Sequence, residues 1–198
     1  LLNWLVYYRA VCPAPEDMDR LFFLCFDFGA ERALLSKGLR CDHADFTLSK
    51  NRMWLLRTQV TNVLLQAGID VLISDLDALW LQNPFTALEH FPFSQLLASR
   101  ASFPEEISLR LGATVCLGFA YVKSKKPSKA LWVYLAEKLG QSFNPDDQRV
   151  LNFMLLDNGL RFPKRLTYVK NGHADVGQVR LRKAIKEGSG ISAPSEAN

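Results

Sequence analysis

The sequence is poor in cysteine, and the cysteines that it has follow no metal-binding pattern. Its 198 residues contain four cysteines, with no CxxC spacing and no paired histidines. A zinc site is therefore not expected, and neither is a fold held together mainly by disulfide bonds. The four positions are Cys12, Cys25, Cys41 and Cys116. Their spacing alone does not indicate a cellular compartment.

Long apolar runs are also missing. No run reaches the roughly 18 residues that a transmembrane helix needs. The N-terminal stretch LLNWLVYYRAV lacks the basic start and the small-residue cleavage site of a signal peptide. We expect no membrane contact from this chain itself, although an anchor could precede it in a longer parent protein.

Positive charge is in small excess. The net charge is +4, and the lysines and arginines are scattered until the C-terminal region. This distribution gives no support for nucleic-acid binding. A modest positive field suits an anionic small molecule such as a nucleotide.

What the chain has is enough apolar sequence for one core. Hydrophobic residues make up 48% of it and charged residues 22%, which is typical of a single globular domain. We predict one domain over residues 1–186 and a disordered tail over residues 187–198, where the composition is polar and rich in small residues.

Apolar runs of strand length alternate with amphipathic segments, a pattern typical of an α/β protein. We predict a Rossmann-like, mostly parallel sheet flanked by helices. The predicted strands are 20–27, 69–74, 95–99 and 114–124, and the predicted helices are 1–11, 28–38, 127–140, 144–159 and one that starts near residue 50 and ends at Gly68. Ser49 or Asn51 is expected to cap the helix near residue 50, and Asn144 and Pro145 are expected to open the last one.

Two carboxylates follow an apolar strand in GIDVLISDLDALWLQNPF, residues 68–85. In a strand, residues two apart face the same side, so Asp75 and Asp77 would project together. Two like charges repel each other unless a cation lies between them or beside them. Mg²⁺ or Mn²⁺, bound by one or two carboxylates and by substrate phosphates, would satisfy this arrangement. The alternative is that one Asp caps a turn and the other is solvated.

The segment LLQAGIDVLISDLDALWLQNPF closely resembles the signature of the nucleotide-diphospho-sugar transferase family, glycosyltransferases of the A-type fold with a DxD motif. Four other segments resemble the family in the right order, so the similarity covers roughly residues 1–160: LLNWL, RMWLLRTQVTNVLLQAG, GFAYVKS and DDQRVLN. The resemblance implies a transferase that moves a sugar from a nucleotide diphosphate, in our reading a UDP-sugar, to a hydroxyl of a glycan, glycoprotein or other acceptor, with retention and with Mn²⁺ or Mg²⁺ as cofactor.

The resemblance also implies roles for particular residues. Asp77 would be the main metal ligand, and Asp75 would meet the ribose or the metal. Arg57 could reach the diphosphate, and Gly118 would let the donor sugar approach the backbone. Asp147 and Gln148 would contact the transferred sugar or its acceptor, with a weaker case for Asn152. Three of these residues have a structural alternative. Arg57 could be a surface arginine, and Gly118 could be a strand glycine at a bulge. Asp147 could be an acidic residue that the helix dipole favours.

The sequence departs from the family in two places. The family's first strand has no counterpart before LLNWL, and the C-terminal part matches poorly. Related metal-dependent enzymes take a third ligand from a His followed shortly by Gly, which suggests His173 as a ligand. Gly177 is four residues further on, which is not the usual spacing, so a surface-loop histidine is the alternative.

Two other functions compete with an active transferase. One is a non-catalytic domain that keeps the fold and binds a ligand without turnover. The other is a haloacid dehalogenase-type phosphatase, but that family has Thr or Val where this chain has Leu79. Eukaryotic members of the resembled family are usually Golgi enzymes, so the resemblance implies the Golgi lumen for a eukaryotic chain and the cytoplasm otherwise.

Overall fold

The computed structural model describes residues 2–43, 50–143, 145–160 and 162. The described part of the chain is a mixed α/β structure with short strands between helices. Its strands are β1 (Leu24–Cys25), β2 (Asp42–His43), β3 (Val71–Ser74), β4 (Leu96–Ala101) and β5 (Thr114–Val122). Its helices are α1 (Leu2–Val11), α2 (Pro15–Asp19), α3 (Phe28–Leu35), α4 (Lys50–Gln66), α5 (Pro84–Leu88), α6 (Glu105–Leu111), α7 (Lys126–Gly140) and α8 (Asp147–Asp157).

The chain divides into two compact units. The first comprises Leu1–Leu97 and Gly118–Asp147, and the second comprises Ala98–Leu117 and the chain from Gln148 onward. Strands β4 and β5 each begin in one unit and end in the other. Because no helix in the described residues is long and apolar enough, none of them could cross a membrane.

The core of the first unit is aromatic. Trp4 and Tyr8 of α1 stack with their ring centroids 5.1 Å apart, and Trp80 meets both rings at 5.4 and 5.2 Å. Burial raises the pKa of Tyr8 to about 12, and its hydroxyl donates a hydrogen bond of 2.6 Å to the Asp17 carbonyl oxygen. The N-terminal apolar stretch is therefore a packed helix of this core.

The sheets differ from the mostly parallel sheet that we predicted. One sheet has three strands in the order β3-β5-β4, and β3 runs antiparallel to β5, with Val71 opposite Val122 and Ser74 opposite Phe119. The other is a parallel pair of β1 and β2. A short apolar run fits a buried strand of either direction, so the pattern of 69–74 did not fix the pairing.

A disulfide joins Cys25 of β1 to Cys41, the residue before β2, with their Cα atoms 6.0 Å apart. The two strands are only two residues long, and strands this short contribute few ladder hydrogen bonds of their own. The covalent bond therefore holds this parallel pair together. Sequence spacing did not predict either the bond or β2.

Side chains at the helix ends explain several boundaries. The Asp27 carboxylate caps α3 by accepting from Ala30 N at 2.7 Å, and Asn83 Oδ1 accepts from Phe85 N at 2.9 Å where Pro84 opens α5. Helix α8 begins at Asp147, two residues later than Pro145, where we expected it. The predicted caps Ser49 and Asn144, and the side chain of Asn51, lie outside the described residues.

The second unit has a smaller core, in which Ile107 and Leu111 of α6 pack with Leu156 of α8. Gly112 ends α6 with φ +93°, a left-handed conformation that favours glycine. A Cβ atom at this position would collide with the Phe162 carbonyl oxygen. Both the turn and the close approach therefore require glycine at residue 112.

Candidate functional site

The two acidic residues lie on a turn directly after β3. The strand ends at Ser74, Ala78 N donates to the Asp75 carbonyl oxygen at 3.1 Å, and Leu79 N donates to the Asp77 carbonyl oxygen at 3.1 Å. The strand thus ends where we predicted it, and Asp75 and Asp77 follow it on a turn whose hydrogen bonds replace the ladder after Ser74. Asp77 is exposed and Asp75 is part-buried, so solvent reaches both side chains.

Trp80 anchors this turn from inside the core. Its indole Nε1 donates to Ser74 Oγ at 3.0 Å, which closes the loop from residue 74 to residue 80. The ring also meets Phe85 and Phe119 at centroid distances of 6.0 and 5.9 Å. We did not predict this role. The signal for it was a tryptophan placed three residues after the second Asp, since a buried indole usually finds an acceptor nearby.

Arg57 of α4 lies between two carboxylates. Its Nη1 donates to Asp75 Oδ1 at 2.7 Å, while Nη2 and Nε donate to Asp147 Oδ2 at 2.7 and 2.9 Å. The guanidinium also lies over the ring of Trp54, 4.5 Å from its centroid. The structure thus brings together three of the predicted site residues, and their charges give the cluster its geometry.

The two carboxylates of this cluster differ in burial. The Asp147 side chain is 4% exposed and the Asp75 side chain 41%, with Arg57 between them at 19%. The Arg57 guanidinium therefore bonds one carboxylate that is largely shielded from water and one that solvent reaches. The Asp75 and Asp77 carboxylates are the ones open to a cation from solvent.

The donor atoms of the turn fit a divalent metal. Carboxylate oxygens are the ligands that Mg²⁺ and Mn²⁺ prefer, and such ions commonly take only one or two of them from the protein. Asp75 and Asp77 supply two, both open to solvent. Within the described ranges, no group of three or more His, Cys, Asp or Glu side chains could hold a metal ion. His173, our suggested third ligand, lies outside those ranges.

Gly118 supports the acidic turn through its backbone. Its carbonyl oxygen accepts from Asp75 N at 2.7 Å, one step beyond the last β3–β5 pair, Ser74 and Phe119. This bond fixes the backbone at Asp75. The approach of a donor sugar to Gly118 stays a prediction.

Gln148 and Asn152 have structural tasks in the second unit. Asn152 is fully buried, and its amide both accepts from Val115 N at 2.7 Å and donates to Val115 O at 2.8 Å. Gln148 accepts from Leu117 N at 3.3 Å and donates to the Phe103 carbonyl oxygen at 2.9 Å. These two side chains of α8 therefore bind the backbone of β5 at Val115 and Leu117. The contact of Gln148 with a sugar stays a prediction.

The fold and the site define a mixed α/β protein with an acidic, solvent-facing turn at the end of a sheet strand. A sequence model of the family described as nucleotide-diphospho-sugar transferase matches residues 17–171. The chain therefore belongs to the nucleotide-diphospho-sugar transferase family, which implies a transferase that uses a nucleotide-sugar donor. The match excludes LLNWL, so its likeness to a family helix stays a prediction. Comparisons with curated proteins and with solved structures gave no match.

Proposed function

We propose that this chain is a metal-dependent glycosyltransferase that moves a sugar, with retention, from a UDP-sugar to a hydroxyl group of a glycan, glycoprotein or other acceptor. The observation that carries the proposal is the turn after β3, which exposes Asp77 and part of Asp75 to solvent within a chain of this family. The family match favours this activity over the haloacid dehalogenase-type phosphatase.

In this proposal Asp75 and Asp77 hold Mn²⁺ or Mg²⁺, and His173 is the candidate third ligand. The metal, when bound, neutralises the departing diphosphate as a Lewis acid. The chain's own contribution is to hold the two carboxylates in place: Trp80 and Ser74 close the turn, and the Gly118 carbonyl fixes Asp75 N. A pre-organised turn avoids an ordering step when the donor binds.

Arg57 is the proposed contact to the diphosphate, and Asp147 is the proposed contact to the transferred sugar or its acceptor, with Gln148 beside it in sequence. The hydrogen bonds of Arg57 to both carboxylates support a position near the acidic turn. Gly118 is the proposed point of close approach for the donor sugar. The A-type fold remains part of this proposal.

The Golgi lumen of a eukaryotic cell is the proposed compartment, and the cytoplasm is the alternative. The Cys25–Cys41 disulfide supports the lumen. Disulfide bonds persist in oxidising compartments and are rare in the cytosol, where thiols are kept reduced.

A non-catalytic binding domain is the second candidate. The observation that favours it is the Arg57–Asp75 ion pair, which already neutralises one proposed metal ligand. Metal-dependent binding of a nucleotide, without turnover, would support this alternative.

Calorimetric titration of UDP into the protein, with Mn²⁺ and with EDTA, tests the proposal. We expect binding that requires Mn²⁺ and is lost in Asp77→Ala. Asp157→Ala is the matched control, because Asp157 is also exposed and lies at the far end of α8. If the folded protein binds no UDP under either condition, the transferase proposal is wrong. The configuration of the sugar released from a cleaved donor, read by NMR, tests retention.

A further inference from the structure

The three hydrogen bonds of Arg57 are unequally divided between its two partners. Two of them, from Nε and Nη2, converge on Asp147 Oδ2, and only one, from Nη1, reaches Asp75 Oδ1. Asp147 is almost fully buried and Asp75 is 41% exposed. A buried carboxylate needs its partner more, because it has no water to replace the cation.

We infer that Arg57 is a positioning residue that occupies Asp75 until Asp75 binds a divalent cation, while Asp147 retains the guanidinium throughout. This inference rests on the proposed function, because it concerns Asp75, one of the two proposed metal ligands. It adds that metal binding at the turn is a competition with a cation that the chain itself supplies.

The competition follows from charge and geometry. Asp75 Oδ1 accepts a charge-assisted hydrogen bond of 2.7 Å from Arg57 Nη1. A divalent cation on the same carboxylate would lie beside the guanidinium, and the repulsion between the two cations weakens the apparent affinity for the metal. The guanidinium does not leave the site, because its two bonds to Asp147 and its stacking on Trp54 remain.

A second consequence concerns the donor. Once Asp75 gives up Nη1, that N–H can donate to another acceptor on the side of the guanidinium that faces Asp75. A free N–H of a retained guanidinium is a good donor to a phosphate oxygen. Metal binding at Asp75 would thus exchange the contact of Arg57 with a carboxylate for a contact with a phosphate of the donor.

The test is Mn²⁺ binding without nucleotide, measured by the electron paramagnetic resonance signal of free Mn²⁺. Arg57→Lys keeps the charge but loses the fork that bonds both carboxylates at once. We expect the lysine to stay with the buried Asp147 and to release Asp75. The Kd for Mn²⁺ should therefore fall about three- to tenfold, the range expected for removing one competing, partly solvated charged hydrogen bond.

Arg52→Lys is the matched control, since Arg52 is an exposed arginine of the same helix. It should bind Mn²⁺ like the wild type, and the circular dichroism and urea midpoint of both variants should establish that they are folded. A general weakening of the fold would not make Mn²⁺ binding tighter, so the direction of the change separates competition from damage.

The outcomes separate this inference from the proposed function. If Asp77→Ala loses Mn²⁺ while Arg57→Lys binds it with wild-type or lower affinity, the metal site stands and the competition is wrong. If Arg57→Lys alone binds Mn²⁺ and needs Asp77 to do so, the inference is supported in its strongest form. If neither wild type nor Arg57→Lys binds Mn²⁺, the proposed metal site is wrong and the inference is wrong with it.

Discussion

Neighbouring residues of one segment, DDQRVLN, belong to two polar clusters that differ in charge and in exposure to solvent. In the first unit, Asp147 holds the Arg57 guanidinium together with Asp75. In the second unit, Gln148 and Asn152 hydrogen-bond to the backbone of β5. The first cluster is charged and partly open to water, and Asn152 in the second is neutral and fully buried.

This difference indicates which residues of the segment could contact a ligand. The Asn152 amide accepts one hydrogen bond and donates two, to Val115 and Gln148, all within the described residues. An amide with these partners has little left to offer a ligand. Asp75 of the first cluster accepts one hydrogen bond from Arg57 and is 41% exposed, so it can still exchange that partner for another cation.

The largest effect should come from breaking the neutral cluster. Asn152→Ala would remove the acceptor of Val115 N and a donor to Val115 O in a buried site, and it would also open a cavity. We expect a loss of about 4 kcal/mol in the free energy of unfolding, measured by urea denaturation. Asn158→Ala, just after the end of α8, is the control, since the Asn158 amide donates to Met154 O from an exposed position. A similar loss in both variants would contradict the special role of Asn152.

A smaller loss should follow from neutralising the buried carboxylate of the charged cluster. Asp147→Asn keeps the shape but removes the charge that holds Arg57 Nε and Nη2. We expect it to cost about 2 kcal/mol of unfolding free energy, because one partner of a largely buried ion pair is lost while Arg57 keeps Asp75. Urea denaturation checks this, and a cost as large as that of Asn152→Ala would remove the contrast between the clusters.

Much of this contrast could be predicted from the sequence, up to a point. The family signature selected Arg57, Asp75 and Asp147, and the structure joins these three in one cluster. The apolar runs gave β3, β4 and β5 to within three residues at each end, because burial of side chains determines where a strand can run. Mixed α/β character followed from the same alternation.

The rest depended on contacts between residues distant in sequence. The antiparallel pairing of β3 with β5 depends on where the chain returns, which no local pattern records. The bond from Trp80 to Ser74 and the amide bonds of Asn152 are choices of side-chain partner within a packed core. The Cys25–Cys41 disulfide could not be deduced either, because four cysteines permit several pairings.

The loop from residue 74 to residue 80, which carries Asp75 and Asp77, allows a third test. Ser74→Ala removes the acceptor of the Trp80 indole N–H, and Trp80→Phe removes the donor. In a double-mutant cycle we expect a coupling energy of about 1 kcal/mol, the usual worth of one part-buried hydrogen bond. Urea denaturation of the two single variants and the double variant measures it. Strictly additive costs would mean that Trp80 stabilises the turn by ring packing alone.

The smallest loss of unfolding free energy should come from replacing Asp75, the exposed carboxylate of the charged cluster, and this loss should depend on salt. Asp75→Asn removes the 41% exposed partner of Arg57, so we expect a cost of only about 0.5 kcal/mol at low ionic strength. Screening at about 1 M NaCl should abolish most of this cost, since the Debye length there is only about 3 Å. The cost of Asn152→Ala should stay the same, because its hydrogen bonds involve no charge and no solvent. If the two variants respond to salt alike, the division into an open charged cluster and a closed neutral one is wrong. If only Asp75→Asn responds, its carboxylate remains accessible to mobile ions, as binding a divalent cation requires.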